Sequence, residues 1–297
     1  MDAYIFPGQG SQHPGMGVQL YEDFPQAREL FHRADEVLDY PITEVMFNGS
    51  EEQLKQTKHT QLAMFLHGYI SYVCLHQGIP GMTSGHSLGE YTALAASGCL
   101  AFEDALILVE KRASAMQKCC DNQESGMAAV LKFDDRVTEE ICATVLDEVV
   151  VPANYNSPQQ LVISGSLKGL ETAIEKLRAA GARRIMMLNV GGAFHSPLMQ
   201  TAQDELSEAI AKCTFLVPDC PVYQNVSAQP STDPDTIRQN LVAQLTHPVR
   251  WTDTVLQMVH DGATRFVEFG PAPTLQNLVK RIAPDVETAC LGTTEKE

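Results

Sequence analysis

The sequence predicts an α/β protein of two domains, with a small α+β domain inserted into a larger one built on a parallel sheet. Three observations carry this. Short apolar strands alternate with amphipathic helices over residues 1–122 and again over 192–297. Between them, over 123–191, the rhythm becomes strand-rich. The length of 297 residues suits roughly two domains. Hydrophobic residues make up 44% and charged residues 20%, which excludes disordered and fibrous classes. The 21 Lys and Arg face 37 Asp and Glu, a formal charge of −16. That charge argues against a general nucleic-acid or anionic-membrane binder and leaves room only for a local basic patch.

Ala3 to Phe6 reads as a buried strand that ends in the turn Pro7-Gly8-Gln9-Gly10. Ala27, Leu30, Phe31, Ala34, Val37 and Leu38 recur at helical spacing. Thr60 to Gln77 is a second helix, a third begins near Leu88 and closes at Gly98, and a fourth runs from Phe102 to about Lys118. Met82-Thr83-Ser84, just ahead of the third helix, is a poor strand by composition. Gly126–Leu131 is a strand and Val137–Leu146 a helix. Val149–Val151 and Gln160–Ser164 are strands joined across Asn154 to Pro158. Leu167–Ala180 is a helix and Arg184–Leu188 a strand. The order βαββαβ is the ferredoxin-like pattern. The large domain then resumes with helices at Pro197–Lys212, Thr236–Thr246, Trp251–Gly262 and Thr274–Ile282, and strands at Val222-Tyr223 and Arg265–Phe269.

Met1 to Gly8 has an acid where a secretory signal carries positive charge, and Pro7-Gly8 interrupts its apolar run. No stretch of about 18 apolar residues suggests a membrane span. Eight cysteines with no CxxC spacing read as reduced thiols of a cytoplasmic enzyme, with no metal site expected.

Four features carry chemistry. Gly85-His86-Ser87-Leu88-Gly89 has the G-x-S-x-G form, in which a sharp strand-to-helix turn lifts a serine hydroxyl to a helix N-terminus. The Leu88 N–H then faces a developing oxyanion; the plainer reading is a glycine-rich turn with an N-cap serine. A nucleophilic serine needs a base. His195, in Gly191-Gly192-Ala193-Phe194-His195-Ser196-Pro197 just before a helix, is the candidate, or else a surface or capping histidine. His86 adjoins the serine, and its side chain should point elsewhere. Phe6-Pro7-Gly8-Gln9-Gly10-Ser11-Gln12 follows a strand and would supply a second oxyanion donor, or be a plain turn. As a dinucleotide loop it fails, because His13 stands where the third glycine belongs. Arg112 lies on an apolar helix stripe with Leu108 and Met116 one turn away on either side. It pairs with an internal carboxylate or forms a fork for a substrate carboxylate.

Taken together these motifs resemble the malonyl-CoA:acyl carrier protein transacylase family over nearly the whole chain. Residues 6–12, Gly-His-Ser-Leu-Gly-Glu at 85–90, Arg112 with Met116-Gln117, Asn154–Ser157, Ala-Phe-His-Ser at 193–196 and Gln244–Trp251 stand in family order. The resemblance implies a hydrolase-like α/β domain (1–122 and 192–297) carrying a ferredoxin-like insert (123–191). It implies Ser87 as nucleophile and His195 as base, oriented by the backbone carbonyl of Gln244, with Gln9 and Leu88 at the oxyanion hole. Arg112 becomes the carboxylate clamp, with Gln61, Met116 and Phe194 at the substrate. Leu88 and Ala193-Phe194 match the malonyl-selective pattern, while Gly191-Gly192 departs from the family before Ala193. The implied reaction is ping-pong transfer from malonyl-CoA to the pantetheine thiol of acyl carrier protein in fatty-acid synthesis, with no bound cofactor. Alternatives are a discrete acyltransferase of a polyketide synthase, a serine esterase or thioesterase, and a non-catalytic carrier-binding module. Since carrier proteins are typically acidic, Arg183-Arg184 and Lys280-Arg281 are candidate docking pairs.

Overall fold

Along the first third of the chain the elements are β1 (Asp2–Phe6), α1 (Val18–Asp23), α2 (Pro25–Leu38), α3 (Ile42–Asn48), α4 (Glu51–Lys55), α5 (Thr57–Leu75), β2 (Met82–Gly85), α6 (Gly89–Ala96) and α7 (Phe102–Asn122). The middle holds β3 (Ser125–Leu131), α8 (Asp135–Ala143), β4 (Val150–Ser157), β5 (Gln160–Ser166), α9 (Leu167–Ala179) and β6 (Arg184–Met187). After a 3-10 turn at Pro197–Met199 come α10 (Gln200–Ile210), β7 (Val222–Tyr223), β8 (Pro230–Ser231), α11 (Pro234–Ala243), α12 (Trp251–His260), β9 (Arg265–Phe269), α13 (Thr274–Ile282) and β10 (Glu287–Leu291). This computed structural model describes residues 1–293. Among them no helix is long and apolar enough to cross a membrane.

The outer segments build a six-stranded sheet in the order β10-β9-β1-β2-β7-β8, parallel except for the β7–β8 pair. β1 sits inside it and is apolar on both faces, as a covered parallel strand must be. Ala3 and Ile5 pack with Val255, Met258 and Leu275 of α12 and α13, while Tyr4 and Phe6 turn to the core of α5, α6 and α7. The middle segment forms a separate antiparallel sheet in the order β4-β5-β3-β6. Its strand β3 alternates cleanly. Ala128 and Val130 join Leu170 and Leu177 in a small core of its own, whereas Met127 and Ala129 face the main core. The two sheets are tied where β4 meets the segment before α12. Tyr155 N–H donates to the Val249 carbonyl at 2.9 Å and Val249 N–H to Ala153 at 2.8 Å.

Three expectations change. Met82-Thr83-Ser84 is a fully buried inner strand despite its composition. Its hydroxyls are absorbed by neighbouring strands, Thr83 Oγ1 donating to the Tyr4 carbonyl at 3.0 Å and Ser84 Oγ to Tyr223 at 2.8 Å. Asn154–Ser157 is strand rather than connection, with register shifts that hide its alternation. The chain also contains the short elements α1, α3, α4, β8 and the edge strand β10, none of which the periodicity marks.

α6 is packed so tightly under β1 that only glycine fits at its first residue. A Cβ on Gly89 would lie 2.0 Å from the Phe6 carbonyl oxygen. Backbone cannot give way there as a side chain could, so Gly89→Ala is expected to destabilise the protein by about 3 kcal/mol, the upper end of overpacking costs. Urea unfolding of the variant tests this, and a stability equal to wild type would contradict it.

Candidate active site

The turn from β2 into α6 presents Ser87 in a left-handed backbone conformation, φ +54°. For a residue with a Cβ that geometry is strained and persists only where the surroundings impose it. Asn225, fully buried, imposes it from both sides. Its Oδ1 accepts the Ser87 N–H at 2.6 Å and its Nδ2 donates to the Gly85 carbonyl at 2.6 Å. Gly85 is required as well, since a Cβ there would lie 1.9 Å from the Gly89 backbone.

His195 is also left-handed, φ +57°, and 3% exposed. Ser87 Oγ and His195 Nε2 are 2.8 Å apart. On the other side of the ring, Nδ1 faces two carbonyls, Gln244 at 2.9 Å and His247 at 3.2 Å. Carbonyls only accept, so the proton sits on Nδ1 and Nε2 is left to accept the serine proton. Burial, and then the charge of Arg112, push the His195 imidazole down to about 3. The imidazole is therefore neutral in the resting site. The preceding Gly191-Gly192 is seated rather than loose, since a Cβ on Gly192 would come within 2.6 Å of Cys120 Sγ.

Arg112 is 1% exposed, and among the described residues no carboxylate lies within ion-pair distance of it. Neutral oxygens hold it: Nη1 donates to Gln61 Oε1 at 2.6 Å, and Nη2 to Ser87 Oγ at 3.0 Å and Gln244 Oε1 at 3.1 Å. Its Nε has no partner among the described residues. A buried cation with a spare donor and no counter-ion in contact is a receptor for an anion.

These groups border a cavity of about 240 Å³ between the two sheets, with Gln9, Leu88, Met116 and Phe194 on its wall. Neither Gln9 N–H nor Leu88 N–H has a backbone acceptor among the described residues, so both are free to donate to an oxyanion. Gln61 differs from the expectation that it lines the cavity. It lies fully buried behind Arg112, with Nε2 against Met116 Sδ at 3.3 Å. His86 points away from the serine, with Nε2 2.8 Å from Asn156 Oδ1 of β4. Asn225, His247 and Glu90 also hold the site. Of these, Glu90 and His247 fall inside sequence motifs, 85–90 and 244–251, and Asn225 lies outside any. Among the described residues no cluster of three or more His, Cys, Asp or Glu is placed to hold a metal.

A half-buried serine against a buried histidine, beside an arginine with no carboxylate partner among the described residues, fits the chemistry of an acyl transferase, and the family model of the acyl transferase domain matches residues 3–296. The malonyl CoA-acyl carrier protein transacylase of Bacillus subtilis (strain 168) is 40% identical over 300 residues, covering 99% of this chain and 94% of that protein. The structure of the corresponding transacylase from Coxiella burnetii superposes with a TM-score of 0.95 at 38% identity, covering 99% of this chain and 94% of that one. A malonyl-transacylase solved with its type II polyketide synthase acyl-carrier protein gives 0.94 at 35% identity, covering 99% and 96%. The chain belongs to the malonyl CoA-acyl carrier protein transacylase family.

Because the His195 imidazole is depressed, a reaction that uses it as the base should not be switched off by acid in the usual imidazole range. The kcat/KM for malonyl-CoA is expected to stay level from about pH 8 to about pH 5, since that parameter reports the free enzyme. In Arg112→Ala, assayed with acetyl-CoA, one cause of the depression is gone and the acid limb should move up. A wild-type limb near the ordinary imidazole value of about 6.5 would contradict the assignment.

Proposed function

We propose that the protein carries a malonyl group from malonyl-CoA to the pantetheine thiol of an acyl carrier protein, through an ester on Ser87, as the entry step of fatty-acid synthesis. The observation that carries this reading is the buried guanidinium of Arg112, with no carboxylate against it among the described residues and 3.0 Å from the Ser87 hydroxyl. A neutral acyl group would leave that charge unpaired, which disfavours an esterase or thioesterase. The match to a transacylase solved with a polyketide carrier protein supports a polyketide role as the second reading.

In the proposed chemistry His195 Nε2 takes the Ser87 proton as Oγ attacks the thioester carbonyl. The oxyanion receives the N–H groups of Leu88 and Gln9. The C–S bond breaks and His195 returns its proton to the sulfur of CoA. The pantetheine thiol then enters, gives its proton to His195, attacks the ester and leaves as the malonyl thioester, restoring the Ser87 hydroxyl. Met116 and Phe194 bound the acyl group, and Gln61 steadies Arg112 from behind. The proposed chemistry needs no cofactor beyond the thioester donor and the thiol acceptor.

We further assign 1–122 and 192–297 to a hydrolase-like catalytic domain and 123–191 to a ferredoxin-like one. The second assignment is supported by the βαββαβ order and by the place of β3 between β5 and β6. The eight unpaired cysteines suit a cytoplasmic location.

Malonyl-CoA alone should leave a malonyl adduct on Ser87, read by intact mass, and Ser87→Ala should carry none. His195→Ala should acylate about 10²–10⁴-fold more slowly, the size of a general-base contribution. A persistent adduct in Ser87→Ala would remove the nucleophile from the scheme.

Arg112→Ala should lose malonyl transfer by about 30- to 4000-fold, the equivalent of about 2–5 kcal/mol for breaking a buried charge pair. Acetyl transfer should hold or rise. Arg112→Lys should recover only part of the loss, since an ammonium cannot make two parallel bonds. An equal fall in kcat/KM for both thioesters would reduce Arg112 to a structural role.

For carrier docking, Arg183 and Arg184 are the better pair. Both are exposed at β6, whose continuation through Leu188 to Gly191 borders the cavity, whereas Arg281 already donates to Gln160 at 2.8 Å. Charge reversal at 183 and 184 should raise KM for the carrier and leave acylation by malonyl-CoA unchanged. A carrier KM that does not move places docking elsewhere.

A further inference from the structure

Glu90 has no part in the proton and acyl transfers, yet it lies three residues past Ser87 with no exposed surface. A buried carboxylate persists only where donors meet its oxygens. Three do: Gln224 Nε2 donates to Oε1 at 3.1 Å, while the Asn225 N–H at 2.8 Å and Gln244 Nε2 at 3.1 Å donate to Oε2.

An ionised carboxylate can only accept, and an amide carries its oxygen on one side and its NH2 on the other. Glu90, together with the Ser87 carbonyl, therefore fixes which way the Gln244 amide faces. With Nε2 committed to Glu90 and to the Ser87 carbonyl, 2.9 Å away, Gln244 must turn Oε1 to Arg112 Nη2 at 3.1 Å. We propose that Glu90 is a positioning residue for malonyl selection, orienting the Gln244 amide so that Gln244 holds the Arg112 guanidinium where the substrate carboxylate meets it. The arrangement also puts a negative charge one amide away from the arginine. A carboxylate in direct contact would occupy the guanidinium fork and shut out the substrate; at one remove it balances the charge and leaves the fork open.

The inference rests on the malonyl-transfer reading, and its test separates the two. Single-turnover acylation of Ser87 is followed with malonyl-CoA and with acetyl-CoA, and the final extent of labelling counts folded sites. Glu90→Gln sets an NH2 where an oxygen accepted, so some amide of the network must face donor to donor. Per labelled site, malonyl acylation is expected to slow by about 10- to 100-fold, the size of one hydrogen bond to a charged group. Acetyl acylation makes no use of the clamp and should slow by less than about threefold, within the scatter of a neutral contact. Gln244→Leu keeps the backbone carbonyl for His195 but lacks the amide, and should shift the malonyl-to-acetyl ratio in the same direction. The double variant should be no worse than the poorer single one, because both act through one chain of contacts. A ratio unchanged in Gln244→Leu, or an equal fall for both thioesters in Glu90→Gln, overturns the proposal, and the first of these decides it even if Glu90→Gln does not fold. If wild type takes no malonyl group on Ser87, the functional reading falls as well, and the wild-type arm alone reveals it.

Discussion

The site is organised around one expensive thing, a guanidinium taken out of water with no anion against it among the described residues. Burying Arg112 among neutral oxygens costs free energy that no internal ion pair repays. Much of the surrounding structure makes that tolerable. Gln61 and Gln244 reach in from α5 and from just past α11, and the Tyr91 ring lies 5.6 Å below the guanidinium carbon. The same charge reaches the chemistry, because it depresses the neighbouring imidazole and donates to the serine hydroxyl. In the proposed cycle, selection of the malonyl group runs through this one buried group.

The second constraint is backbone strain. Ser87 and His195 both occupy the left-handed region, on two segments 108 residues apart in sequence. Neither conformation is intrinsically favoured, so each is held by what surrounds it. For Ser87 the holder is the Asn225 side chain, bonded to both Gly85 and Ser87. For His195 it is the pair of carbonyls at Gln244 and His247 together with the packing of Gly192 on Cys120.

Much of this was legible in the sequence, for identifiable reasons. Ser87 and Arg112 announce themselves because chemistry forces unusual local patterns, a glycine–serine–glycine turn and a charge on an apolar stripe. The two-domain order was legible because strand and helix periods differ. The inner strand β2 was obscured because Thr83 and Ser84 look unsuited to burial until the neighbouring carbonyls are known. β4 was cut short because its bulges break the alternation. Gln61 was placed on the cavity wall, where only its distance to Arg112 reveals that it stands behind. Asn225 lies outside every motif. It acts through contacts made across 135 to 140 residues of chain, and no local pattern records such contacts.

The carbonyl behind His195 bears on what the acyl-enzyme can react with. A carboxylate at that position would stabilise the imidazolium and make a stronger base; here burial and a nearby cation outweigh the smaller lift from two neutral carbonyls and leave a weak one. A thiol, with a pKa of about 8.5, yields its proton to a weak base far more readily than water, at about 15.7. In the proposed cycle the poverty of the base is therefore itself a filter. It leaves the ester on Ser87 poorly reactive toward the solvent that surrounds it and open to the sulfur nucleophile for which it waits, so that a site sharing its serine and histidine with hydrolases partitions toward transfer.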